Sequence, residues 1–140
     1  MYYFYVAVFG AIGALLRYGA SVIIHTELFP LSTLLVNVVG CFFLAFIVRR
    51  FAGMPRFSQA FVNGLGTGLI GSFTTFSTFS VETLRLIQSG AWLPAVFYIL
   101  ASLITGFAAA GAGYWLGGNW GNPKLQRVNK DGKGAGQNAH

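Results

Sequence analysis

The chain has 140 residues, of which 55% are hydrophobic and only 9% charged, and it carries a net charge of +6. A soluble domain usually has about 25% charged residues, so the composition favours a bilayer over water as solvent. One cysteine, Cys41, excludes an internal disulfide and a cysteine zinc cluster. The basic residues sit at segment ends and in the last stretch of chain, as in loops beside a membrane and not as in a nucleic-acid groove.

Four stretches approach or exceed the roughly 20 residues a helix needs to cross a bilayer. The first is predicted from Tyr2 to about Ile24. Its start, MYYFYVAVFG, has no basic region before the apolar run, so no cleavable signal is expected. Its one charge, Arg17, lies roughly 6 Å past the centre at 1.5 Å per residue. Either the long side chain snorkels to the interface, or it is a fixed positive charge at the mouth of an aqueous vestibule that attracts anions.

The second stretch, Leu31 to Val48, carries Asn37 near its middle, with Thr33 and Cys41 one turn away on either side. A carboxamide at this depth must find partners. It either bonds to another helix or presents an amide donor to a permeating anion.

The third stretch, about Phe57 to Val81, reads NGLGTGLIGSFTTFSTFSVE from Asn63 to Glu82. Gly64, Gly66, Gly68 and Gly71 weaken a helix in succession. Thr74, Thr75, Ser77, Thr78 and Ser80 then alternate with Phe73, Phe76 and Phe79. The cluster is either a close-packing device or a broken helix whose freed carbonyls can hold a cation. Phe76 and Phe79, three residues apart, share a helix face. They pack or meet lipid, or they aim their weakly positive ring edges into a narrow anion path. Glu82 is expected first as a solvated interfacial charge.

The fourth stretch, about Trp92 to Leu116, spaces small residues by four (Gly106 and Ala110, Ala109 and Gly113, Gly113 and Gly117), which predicts a close helix contact. Tyr98 and Ser102 lie on one face and could complete a polar lining. Loops are expected at His25–Pro30, Arg49–Arg56 and Glu82–Ala91. Neither His25 nor His140 has metal-site spacing. Residues 1–117 thus form a four-helix transmembrane domain, and 118–140 a basic tail too poor in apolar residues to fold. Arg49, Arg50, Arg56, Lys124, Arg127, Lys130 and Lys133 fall on one side and Arg85 on the other, which places both termini in the cytoplasm. No internal repeat is evident, and so short a chain has little room to enclose a transport path, so an oligomer is expected.

GSFTTFSTFSVE, with an upstream GAIGALLRY and the asparagine in STLLVNVVGCF, resembles the Fluc (CrcB) family of fluoride channels. The resemblance runs from Gly10 to about Gly117. It implies an all-α, multi-pass protein of a prokaryotic cell membrane that is not an enzyme. Its subunits would have four transmembrane helices with the third broken, paired as an antiparallel dimer with two fluoride pores. By match to the family motif, Phe76 and Phe79 would line the pore, Asn37 would bond fluoride and Arg17 would be the vestibule arginine. Thr75, Ser77, Thr78, Ser80 and Glu82 would form a polar track, with Tyr98 nearby. A structural sodium ion would be held by backbone carbonyls, here most naturally those of Gly71 and Thr74.

Two departures stand out. Ser72 replaces a glycine that is frequent in the family. The charge bias fits poorly with subunits inserting both ways, so a heterodimer with an oppositely oriented paralogue competes with the slightly favoured homodimer. Two other classes share the length and helix count. A dual-topology multidrug-type exporter would need a midplane carboxylate where the first helix has Arg17. A non-conducting scaffold subunit would leave Asn37 and the FSTF string without a role.

Overall fold

The computed structural model describes residues 2–24, 29–51 and 57–119. Arg56, His25, Glu27 and the tail from Trp120 to His140, with its four basic residues, lie outside the described residues. Among the described residues the structure is wholly helical.

Helices α1 (Tyr2–Ile23), α2 (Leu31–Phe51) and α6 (Trp92–Asn119) are each long and apolar enough to cross a membrane. At 1.5 Å per residue, α1 spans about 33 Å, close to a bilayer's hydrocarbon thickness. The α2 helix runs past Val48 to Phe51, with Arg49 and Arg50 in its last turn, where cations complement the negative end of the helix dipole. The α6 helix continues to Asn119, two residues into the stretch assigned to the tail.

The third hydrophobic stretch is built of pieces. Ser58 caps α3 (Gln59–Asn63) by accepting the Phe61 N–H at 3.2 Å. A π-helical segment, Gly64–Ile70, follows, and then the short α4 (Gly71–Phe73). Thr74 and Thr75 are extended, with ψ of 159° and 123°. The chain resumes as α5 (Phe76–Gln88). The expected loop at Glu82–Ala91 is therefore corrected to Ser89–Ala91. The cause is Gly90, whose φ of 79° suits glycine: its N–H donates to the Ile87 carbonyl, and that of Ala91 to Leu86.

The four runs alternate in direction. One end gathers the start of α1, the end of α2, the start of α3 and the end of α6, as the Tyr5–Phe61 and Phe51–Phe57 ring contacts show. At the other end Phe29 meets Phe97 and Tyr98. The α2–α6 interface is the most extensive in the chain. A Cβ on Gly113 would stand 2.2 Å from the Phe42 carbonyl oxygen, and one on Gly117 2.9 Å from that of Phe46, so the small-residue spacing does bring backbones together. The π segment seats on α1 in the same way, through Gly13 against Leu69 and Gly68 against Val6.

A small core of Ile47, Val62 and Ile70 is backed by Phe46, Phe51, Leu65 and Leu69. Large apolar side chains elsewhere, such as Leu15, Leu93, Ile104 and Phe107, point outward. A surface of this kind belongs in lipid or against another chain.

Candidate functional site

The polar residues of three helices meet about midway along the α3–α5 run, where helical backbone stops at Thr74 and Thr75. Each Thr75 backbone group finds a partner on α2: its N–H donates to Asn37 Oδ1 at 2.9 Å, and its carbonyl accepts Asn37 Nδ2 at 3.0 Å. The carboxamide thus substitutes for the peptide partners that the interrupted helix lacks. Gly40, one turn along α2, admits the Thr74 methyl, since a Cβ there would lie 2.0 Å from Thr74 Cγ2.

Thr75 Oγ accepts the Thr78 N–H at 3.2 Å and so caps α5. Its hydroxyl also lies 3.2 Å from that of Ser77 and 3.0 Å from that of Thr78. These bonds turn donors away from the preceding carbonyls. In an unbroken helix Gly71 would accept from Thr75 and Thr74 from Thr78, but those N–H groups point to Asn37 and to Thr75 Oγ. The Gly71 and Thr74 carbonyls are thereby left as acceptors beside the break.

Two cavities flank Thr75. The first, about 320 Å³, is lined by Asn37, Gly71, Thr74, Phe76, Phe79 and Ser102, among others. The Phe76 and Phe79 ring centroids are 6.0 Å apart, and Phe79 lies 5.1 Å from Tyr98. Phe76 is 80% exposed in the single chain. Ser102 Oγ is buried and has no hydrogen-bond partner. The second cavity, about 340 Å³, brings Arg17 and Tyr18 of α1 together with Ser32, Thr33, Thr75, Ser77 and Thr78.

Glu82 does not sit as a solvated charge at a helix end. It lies in the middle of α5, where Oε1 accepts from Thr33 Oγ1 at 3.0 Å and Oε2 from the Tyr98 hydroxyl at 2.8 Å. Tyr98 is fully buried. This three-helix link ties α2, α5 and α6 together.

The structure therefore sorts the residues that the sequence singled out. Asn37, Phe76 and Phe79 share one cavity with Gly71 and Thr74, and Arg17, Ser77 and Thr78 share the other, with Thr75 between them. Ser80 is not brought in: its hydroxyl donates to the Phe76 carbonyl on its own helix at 2.9 Å, and it lines neither cavity. Ser102, noted in the sequence only beside Tyr98, lines the first cavity. Its signal was the four-residue spacing from Tyr98.

A family profile described as "CrcB-like protein, Camphor Resistance (CrcB)" matches residues 4–114. The chain is 55% identical over 106 residues to "Fluoride-specific ion channel FluC 2" of Listeria monocytogenes, an alignment covering 76% of this chain and 82% of that protein. It is 46% identical over 118 residues to "Fluoride-specific ion channel FluC 1" of Bacillus cereus, covering 82% of this chain and 86% of the relative.

Proposed function

The chain belongs to the CrcB-like family, and from that membership we propose that it is a subunit of a passive fluoride channel in a prokaryotic cell membrane. The observation that carries the reading is the convergence of the Asn37 carboxamide, the Phe76 and Phe79 rings and the unpartnered Ser102 hydroxyl on one cavity at the start of α5. Fluoride is small and strongly hydrated, so a conduit must replace its water with donors while binding weakly enough for exit. Hydroxyl and amide protons supply the donors, ring edges supply a weak positive field, and the α5 N-terminus adds its dipole. Arg17, with Ser77 and Thr78, would gather anions at the vestibule. Conduction needs no bond to be made or broken, so no enzymatic step enters.

In this reading the pieces from α3 to α5 make the fourth bilayer crossing. Phe76, exposed in the single chain, would face an oppositely oriented second subunit, and each of two pores would be completed across that interface. The partner is a second copy or a paralogue of opposite topology. The donor set also suits a structural sodium ion: the Gly71 and Thr74 carbonyls have lost their helical donors and are hard oxygen ligands. Bound there, sodium would supply a fixed positive charge beside the anion path.

The test is fluoride efflux from proteoliposomes holding this chain alone, driven by a potassium–valinomycin potential. Rapid efflux with little chloride leak is expected, and Phe76→Ile or Phe79→Ile should abolish it in protein that still elutes as a folded dimer. Wild-type efflux from the Phe76→Ile, Phe79→Ile double variant would overturn the pore assignment. A silent wild-type chain that stays silent with an oppositely oriented paralogue would overturn the channel.

A further inference from the structure

The end of the molecule where α2 finishes and α6 finishes carries charge that the proposed conduction path does not use. Arg49 lies along the last turns of α6. Its Cζ stands 4.9 Å from the Tyr114 ring centroid, and its side chain crosses Gly117 and Gly118, where added Cβ atoms would come within 3.1 Å of Arg49 Cβ and Nε. The two glycines form a bare shelf and the ring a support, so this exposed arginine is held in one place and not left to sweep through solvent. Tyr114 is 57% and Trp115 66% exposed, and Val48 also faces outward.

The only described carboxylate, Glu82, is bonded to Thr33 and Tyr98 in the other half of the molecule. Among the described residues no carboxylate therefore lies near Arg49. Exposed tyrosine and tryptophan in the last turns of an apolar helix mark the headgroup level of a bilayer. A guanidinium edge presents paired donors that match a phosphate.

We propose that Arg49, on its Tyr114–Gly117–Gly118 seat, is a binding site for the phosphate headgroup of an anionic phospholipid, with one acyl chain laid against Val48. This site is independent of whether the chain conducts fluoride.

Trp115 is a reporter for it. In full-length protein carrying Trp92→Phe and Trp120→Phe, quenching by brominated phosphatidylglycerol is compared with quenching by brominated phosphatidylcholine in mixed bilayers. A phosphatidylglycerol preference of about fivefold is expected, falling to near one with Arg49→Gln. Arg85→Gln, at the opposite end, should leave it unchanged. Replacing Lys124, Arg127, Lys130 and Lys133 together by glutamine should leave most of it. Equal quenching by both lipids in the starting background would overturn the proposal. So would a preference that survives Arg49→Gln but vanishes with the tail substitutions, because the tail would then be the anionic-lipid contact.

Discussion

Asn37→Leu isolates what the carboxamide does for the interrupted backbone. The replacement keeps much of the side-chain volume but removes both partners of Thr75: the oxygen that takes its N–H at 2.9 Å and the amide that reaches its carbonyl at 3.0 Å. A buried backbone group left without a partner costs about 1–3 kcal/mol, so two cost about 2–6 kcal/mol. Thr75 itself is buried but lies between two cavities, which places the expected loss at the lower part of that range, near 3 kcal/mol. Thr75→Val, which deletes only the capping hydroxyl of α5, should cost about 1 kcal/mol. Both variants can be measured by reversible unfolding in mixed lipid–detergent micelles, titrated with dodecyl sulfate and followed by tryptophan fluorescence. Hydrogen exchange at the Thr75 amide should quicken in Asn37→Leu and change little in Thr75→Val. If Asn37→Leu lost less stability than Thr75→Val, with the Thr75 amide still protected, the carboxamide would not be what satisfies the break.

The close helix contacts predict a contrast among glycines. Gly13→Ala and Gly113→Ala place a Cβ 2.2 Å from a backbone carbonyl and should cost at least about 1–3 kcal/mol in the same titration. Gly19→Ala and Gly111→Ala meet nothing within 4 Å and should be neutral or gain up to about 1 kcal/mol. Tyr98→Phe removes one of the two donors to Glu82 and should cost about 2 kcal/mol. Combined with Glu82→Gln, the loss should fall short of the sum of the single losses by roughly 1 kcal/mol, read from a double-mutant cycle. Arg17→Gln should slow initial fluoride efflux several-fold at low ionic strength, with the difference shrinking as salt rises, because a partly exposed charge lining the proposed vestibule acts over a screened distance.

Apolar length alone made α1, α2 and α6 legible, because a helix that crosses lipid must be long and nearly uncharged. The ends were less so. Arg49 and Arg50 ended the expected second helix, yet a last turn is where a helix accommodates cations, and α2 continues through them to Phe51. Glu82 and Arg85 likewise read as a loop, although the stopping signal, Gly90, lies further on. The glycine run looked like the weak point of the third stretch. Instead Gly64, Gly66 and Gly68 fall in the π segment, which seats on α1, and extended backbone begins only at Thr74. The pairings were not legible at all. Asn37 meets Thr75 across 38 residues and Thr33 meets Glu82 across 49, and no local pattern in one sequence says which buried polar group answers which. Ser77 and Thr78 were read together with Ser80, but side-chain direction separates them: two face the Arg17 cavity, and the third folds back onto its own helix.

The way these bonds are spent bears on the sign of the ion. Both Glu82 oxygens are occupied by hydroxyl donors from α2 and α6, and the Asn37 oxygen by the Thr75 N–H. These side-chain acceptors are thus engaged within the chain. The first cavity is lined by Asn37, whose Nδ2 keeps a second hydrogen, and by Ser102, and the second by the Arg17 guanidinium with Ser77 and Thr78. An anion in the second cavity would meet the Arg17 charge, and one in the first the free amide hydrogen of Asn37. Between them, the Gly71 and Thr74 carbonyls beside the break have no helical N–H to accept. Carbonyl acceptors at the break, between an amide donor and a guanidinium, support the proposed fixed cation next to a moving anion. A cation exporter would instead meet the Arg17 guanidinium, a charge of the wrong sign, in its path.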